Sequence, residues 1–226
     1  MQITEIFKTI QGEGMLTGTV AVIIRLWGCN LKCRWCDEKN SSVPGAGYKL
    51  SVKDLINKIS KYNCKNVVIT GGEPLIHQEV VMLTNALKKE GYFITIETNA
   101  TIIKNVNCDL ISMSPKLLHS VLDSATKHRV HEKIIKIDTL KYYIKHYNYQ
   151  IKFVVEREKN FDEIENILSK VGNYDRSKIL IMPLASSRKQ LFKIQKKVVD
   201  MCIKRNWRYC NRLQLQIWGK DKETKK

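Results

Sequence analysis

Cys29, Cys33 and Cys36 fall in one short string, Gly28-Cys29-Asn30-Leu31-Lys32-Cys33-Arg34-Trp35-Cys36-Asp37, with C-x3-C-x2-C spacing. Three thiolates on a single loop can wrap one inorganic centre. A structural zinc site normally takes four ligands, and no partnering C-x2-C or H-x3-H pair occurs elsewhere in the chain. A 4Fe–4S cluster takes one thiolate per iron, so three would leave one iron open to a non-protein ligand. A zinc loop and three coincidental thiols remain the alternative readings of the string alone.

Other strings carry chemistry less specifically. Thr70-Gly71-Gly72-Glu73-Pro74 is a glycine-rich strand-to-helix turn, and Glu97-Thr98-Asn99 and Ser114-Pro115-Lys116 each end a short apolar run. Gln11-Gly12-Glu13-Gly14 follows Glu5–Ile10 and reads as a turn before the first strand, able to offer backbone amides to a polar ligand. Arg25 lies inside the β-branched run Val20–Leu26 (VAVIIRL). An arginine in a buried strand requires a partner, either an anionic ligand held bidentately or a structural carboxylate.

These residues need a scaffold that brings them together. Val20–Leu26, Val67–Thr70, Phe93–Glu97, Asp109–Met113, Tyr149–Val155, Lys178–Met182 and Leu213–Trp218 have the composition of strands. Helical patterns lie between several of them: Ser51 as N-cap of a helix through Tyr62, a helix from about His77 to Glu90 closed by Gly91, Phe161–Val171, and Ser186 to about Arg205. Such alternation predicts an α/β fold with a parallel sheet and helices outside it. A full eight-unit barrel typically takes about 250 residues, so 226 fit an incomplete, open (β/α) barrel better. In such folds ligands gather at the carboxyl ends of the strands, where the polar strings fall.

Composition bounds the rest. The length suits one domain, residues 1–226, with 220–226 as a charged tail. No apolar run approaches a membrane span, and Met1–Thr9 lacks the basic and apolar regions of an export signal, so a cytoplasmic location is expected. Seven cysteines, an odd number, argue against a disulfide framework; Cys64, Cys108, Cys202 and Cys210 read as small apolar residues. The formal net charge of +17 suits an anionic partner, but the lysines are scattered and patch-like only at 193–197 and 222–226. A solvated basic surface is the plainer reading.

Taken together, the three cysteines after a first strand and the Gly71-Gly72-Glu73 turn resemble the radical S-adenosylmethionine superfamily. With Gln11–Gly14, Arg25, Ser114-Pro115-Lys116 and Arg212–Gly219 (RLQLQIWG) added, the chain is similar to the 7-carboxy-7-deazaguanine synthases from about Met1 to Gly219, with little of the likeness in Leu117–Tyr147. The resemblance implies a 4Fe–4S cluster on Cys29, Cys33 and Cys36, S-adenosylmethionine on its open iron, and a 5′-deoxyadenosyl radical. It implies conversion of 6-carboxy-5,6,7,8-tetrahydropterin to 7-carboxy-7-deazaguanine with loss of ammonia, on the way to queuosine and related deazapurines. The cofactor would be regenerated, with Mg²⁺ assisting.

Carried over position by position, Ile10, Gln11, Gly12, Glu13, Arg25, Thr70 and Gln214 would meet the substrate. Trp35, Cys36, Asp37, Gly72, Glu73, Ser114 and Lys116 would lie along S-adenosylmethionine. The implied partners are the pterin, a flavodoxin-like or other electron donor, and a second copy of the chain, with neither membrane nor nucleic acid required. Four positions depart from the family pattern. Glu38 replaces the hydroxyl residue that ligates Mg²⁺, which leaves either Glu38 as the Mg²⁺ ligand or Ser41 or Ser42 in its place. Gln214 replaces a histidine, Met182-Pro183 a Gln-Pro, and Ala100 a frequent glycine. A glycyl-radical-enzyme activase shares the cysteine spacing but does not account for Gln11–Gly14. A nucleic-acid-binding module with a structural cluster would account for the charge, yet no RNA-binding motif is present.

Overall fold

The computed structural model describes residues 1–38, 43, 45–122 and 127–219. The expected tail at 220–226 and the alternative ligands Ser41 and Ser42 lie outside the described residues. One nine-stranded sheet runs through the molecule. Its strands are β1 (Gln2–Ile10), β2 (Val20–Leu26), β3 (Tyr48–Lys49), β4 (Asn66–Gly71), β5 (Phe93–Thr98), β6 (Leu110–Met113), β7 (Tyr149–Val155), β8 (Ile179–Pro183) and β9 (Arg208–Tyr209). The spatial order is β3-β1-β2-β4-β5-β6-β7-β8-β9. From β2 to β9 every pairing is parallel, whereas β1 pairs antiparallel with β2 and with β3. With β3 and β9 at its two ends the sheet does not close, the open (β/α) barrel that the alternation implies.

The helices are α1 (Val52–Ser60), α2 (Glu79–Lys89), α3 (Lys127–Ile134), α4 (Ile137–His146), α5 (Lys159–Val171), α6 (Arg188–Arg205) and α7 (Leu213–Trp218). The Ser51 hydroxyl caps α1 by accepting from the Asp54 N–H, and Asn206 ends α6 in the left-handed conformation.

Period-two alternation sorts the strand residues between two faces. Val22, Ile24 and Leu26 of β2 join the main core, as do Val67 and Ile69 of β4, Ile94 and Ile96 of β5, and Ile151, Phe153 and Val155 of β7. Residues of the alternate register, Ile23 and Arg25, Val68 and Thr70, Glu97, Lys152 and Val154, line a cavity on the other face. Burial of one side of each strand therefore fixes which polar residues meet inside the barrel.

Two sequence expectations are corrected. Gln11–Gly14 does not precede the first strand; it lies in the β1–β2 connection, pinned by Gln11 N–H to Thr19 O and Gly18 N–H to Gln11 O, both 2.8 Å. β1 escaped notice because its polar and apolar residues are mixed on both faces and mostly half-buried. Leu213–Trp218 is helix α7, not a closing strand. The edge beside β8 is taken by Arg208–Tyr209, and of the alternating apolar residues in LQLQIW only Leu215 is buried. Arg188 then ties the helix end down, its N–H donating to Gly219 O and its Nη2 to Ile217 O.

Candidate active site

The cavity holds about 750 Å³ and opens at the carboxyl ends of the parallel strands. Three walls define it. The loop after β2 contributes Cys29, Cys33 and Cys36, with Trp35, Asp37 and Glu38; the β1–β2 connection contributes Ile10, Gln11, Gly12 and Glu13; the ends of β2, β4 and β5 contribute Arg25, Thr70 and Glu97. Gly72, Ser114, Lys116 and Gln214 also line it. One cavity thus collects every expected site residue except Glu73.

Glu73 is fully buried. Its carboxylate, expected toward the cofactor, accepts instead from the Leu75 N–H (3.0 Å), the Thr98 hydroxyl (2.8 Å) and the Asn99 N–H (2.6 Å). Burial raises its pKa against these three bonds. Glu73 therefore joins the β4 turn to the β5 turn, while Gly72 is what faces the cavity. A Cβ at Gly72 would collide with the Gly28 carbonyl and the Cys29 Cβ, so the absent side chain lets the glycine turn approach the cysteine loop. From the β5 turn, Asn99 Nδ2 donates to Asn30 Oδ1 (2.9 Å) and Asn30 Nδ2 to the Thr101 hydroxyl (2.8 Å), bracing the loop just after Cys29.

All seven cysteines are free thiols. Burial is the largest cause raising the pKa of Cys29, Cys33 and Cys36, and Lys116 acts in the opposite sense on each. The Lys116 ammonium donates to the Ser114 hydroxyl (2.9 Å) and stands 5.6 Å from the centroid of the Trp35 ring. Among the described residues no three His, Cys, Asp or Glu side chains converge as a single metal ion requires. The three cysteines nevertheless line one cavity, and a four-iron cluster offers a separate iron to each thiolate. They fit that group. Mg²⁺ is different: the Glu38 carboxylate expected to hold it lies 3.1 Å from Arg25 Nε, which also faces Glu5 at 3.4 Å. Glu38 thus stands beside a guanidinium in this arrangement.

At the opposite wall sits a charged group that the motifs did not reveal. Lys152, projecting from β7, lies 2.5 Å from Glu13 and 3.4 Å from Glu97. Arg212 Nε lies 3.0 Å from Glu13, and Gln214 Nε2 donates to the same Glu13 oxygen at 2.7 Å. Burial alone would raise the Glu13 pKa; the Lys152 and Arg212 charges outweigh it and hold the carboxyl well below the usual carboxylate range. Burial likewise opposes a charge on Lys152, but Glu13 and Glu97 keep it protonated. The signal for Lys152 was present in the sequence: a lone lysine in YQIKFVV poses the same question as Arg25 in VAVIIRL. Cys210, read as a small apolar residue, also accepts the Gly14 N–H at 3.1 Å and so supports the turn.

Comparison with known proteins decides the family. Residues 23–185 match the model of the radical SAM superfamily. The chain is 36% identical to the 7-carboxy-7-deazaguanine synthase of Rhodopirellula baltica, across 98% of this chain and 88% of that one. It is 34% identical to the synthase of the same name from Halobacterium salinarum, across 99% and 93%. The chain belongs to the 7-carboxy-7-deazaguanine synthase family of radical SAM enzymes. The crystal structure of QueE from Escherichia coli is similar across 92% of both chains, with a TM-score of 0.68 and 27% identity. Membership in the radical SAM superfamily implies a 4Fe–4S cluster and S-adenosylmethionine, which the three-cysteine wall suits.

Proposed function

We propose that this chain converts 6-carboxy-5,6,7,8-tetrahydropterin to 7-carboxy-7-deazaguanine with loss of ammonia, as a step toward queuosine and related 7-deazapurines. What carries the reading is one juxtaposition: Gln11–Glu13, Arg25 and the cysteine loop line a single cavity. Gln11 to Glu13 would engage the planar, amide-bearing pterin from one side. Thr70 and Gln214 would add polar contacts, and the Arg25 guanidinium would take the substrate carboxylate.

On the other wall, Cys29, Cys33 and Cys36 would hold the cluster. Trp35, Asp37, Gly72, Ser114 and Lys116 would lie along S-adenosylmethionine. Once bound, these groups would supply a hydrogen-abstracting 5′-deoxyadenosyl radical. The chain's own part is to fix the pterin between Arg25 and the Glu13 group and to keep water from the reacting carbons. A flavodoxin-like or other one-electron donor and a second copy of the chain belong to the same reading, all within one domain.

The test uses anaerobically reconstituted protein with S-adenosylmethionine, reductant and 6-carboxytetrahydropterin, products being read by mass spectrometry. 7-Carboxy-7-deazaguanine without stoichiometric loss of S-adenosylmethionine is the expected result. Release of 5′-deoxyadenosine with the pterin untouched would overturn the substrate assignment and favour an activase.

A further inference from the structure

Arg212, just before α7, is 4% exposed, and its guanidinium reaches three segments distant in sequence. Nε donates to Glu13 Oε1 at 3.0 Å, Nη2 to Asp37 Oδ2 at 3.1 Å, and Nη1 to the Ala185 carbonyl. Glu13 lies on the wall assigned to the pterin. Asp37 directly follows the third cluster cysteine. Ala185 follows β8. One planar group therefore touches both ligand walls.

The geometry of these contacts is unequal. Glu13 is also held by Lys152 at its other oxygen and by Gln214 at the same one, and the backbone joins the same wall to α7 through Leu213 N–H to Gly12 O at 2.9 Å. Ala185 is itself buried. Asp37, by contrast, has a side chain 56% exposed on an irregular loop. A guanidinium presents its donors in a fixed fork, so a rotation that follows Glu13 necessarily moves the donor offered to Asp37. A lysine would supply charge without that rigid link.

We infer that Arg212 is a positioning residue that couples occupancy of the pterin wall to the conformation of the cysteine loop, acting through Asp37. This rests on the substrate assignment proposed above. The coupling is reciprocal: pterin bound against Glu13 tightens S-adenosylmethionine at the loop, and S-adenosylmethionine tightens pterin. A residue that merely stapled α7 in place would lower stability without changing how one ligand affects the other.

The experiment measures S-adenosylmethionine affinity of the cluster-loaded protein with and without 6-carboxytetrahydropterin, for wild type, Arg212→Gln, Arg212→Lys and Asp37→Ala. Wild type should show at least about a five-fold tightening, the lower end of usual coupling. All three variants should fall within about two-fold of no effect. Asp37→Ala breaks the limb on the exposed side and serves if Arg212→Gln does not fold. In cluster-free protein, pterin should slow iodoacetamide modification of Cys33 and Cys36 in wild type and not in Arg212→Gln.

Coupling retained in Arg212→Gln and Asp37→Ala, or in Arg212→Lys alone, would overturn the inference. Product formation by wild type is followed in the same samples. Product without coupling removes the Arg212 link alone, whereas neither product nor any pterin-dependent change removes the substrate assignment with it.

Discussion

Lys152 Nζ and Glu13 Oε2 lie 2.5 Å apart although 139 residues separate them in the chain. The pair joins strand β7 to the β1–β2 connection across the cavity. Both side chains are largely withdrawn from water, at 7% and 16% exposure. Neither charge is affordable there alone, because burial opposes ionisation of each and only the opposite charge reverses it. The shape of the Glu13 wall thus depends on an interaction invisible to any local reading of the sequence.

Breaking that pair from one side should be costly. Lys152→Met leaves Glu13 buried with Arg212 and Gln214, and loss of one partner of a buried pair typically costs about 3–5 kcal/mol. The urea midpoint should fall accordingly. Lys152→Met with Glu13→Gln should recover part of the loss, since the buried carboxylate leaves with its partner while Arg212 keeps Asp37. A double variant no more stable than the single one would show that packing, not charge, accounts for the loss.

The fold was largely legible where one face of a strand is buried. VAVIIRL, YQIKFVV and the glycine turn at 71–72 each carry their own signal, and their order fixes a parallel sheet with its polar ends together. β1 was missed because its two faces differ little in polarity, and α7 because six residues of alternating apolar pattern fit either period until a neighbouring edge is known to be taken. Of the residues that line the cavity, Cys29, Cys33, Cys36 and Arg25 stood out by type and spacing, and Gln11 through the family resemblance. Glu73, Lys152 and Arg212 were not placed correctly, or at all, because their roles depend on long-range partners: Thr98 and Asn99 for the first, Glu13 and Asp37 for the others.

Arg25 links the loop to the substrate question. Its Nε is 3.1 Å from Glu38 and 3.4 Å from Glu5, so an incoming carboxylate must compete for the guanidinium. Glu38→Thr should lower the pterin KM several-fold by removing that competitor. Arg25→Ala should raise it about 10–100-fold, the usual worth of a charge-assisted bond, with pterin-independent S-adenosylmethionine cleavage unchanged. Equal losses of cleavage and pterin turnover in Arg25→Ala would refute a carboxylate clamp.

Ala100 offers a gain in stability. It is buried and holds φ +61°, a left-handed conformation that costs an L-residue with a Cβ roughly 1–2 kcal/mol. The loop around it is fixed by Asn99 N–H to Glu73 and Ala100 N–H to the Thr98 hydroxyl at 3.1 Å, and after it by Thr101 N–H to Asn99 Oδ1 at 3.0 Å. Ala100→Gly relieves the strain but adds freedom to the unfolded chain. The net expectation is a stabilisation of about 0.5–1 kcal/mol, seen as a rise of a few degrees in Tm. An unchanged or lower Tm would mean that the loop does not enforce the conformation.

His119 should make the protein sensitive to mild acid. Its ring stacks on Trp35 with centroids 5.6 Å apart, and its Nδ1 meets Asn160 Nδ2 at 3.1 Å. Nδ1 can accept from that amide only if the ring proton sits on Nε2, which has no hydrogen-bond partner among the described residues. A neutral ring suits that pocket and an imidazolium does not. Burial is the largest cause acting on it and lowers the pKa to about 4, against Glu156 and Glu163, which raise it, and with Arg34 and Arg157, which lower it further.

Above the ordinary histidine value of about 6.5 both folded and unfolded chains hold the ring neutral. As pH falls below that, the unfolded chain binds the proton first, so stability is lost until the folded ring also protonates near pH 4. At 1.36 kcal/mol per pKa unit, the loss across that window is about 3 kcal/mol. His119→Gln keeps an acceptor for Asn160 but cannot titrate. The difference in unfolding free energy between wild type and His119→Gln should therefore be flat above pH 7 and shrink steadily toward pH 4, whereas parallel curves would show that the ring is not held neutral.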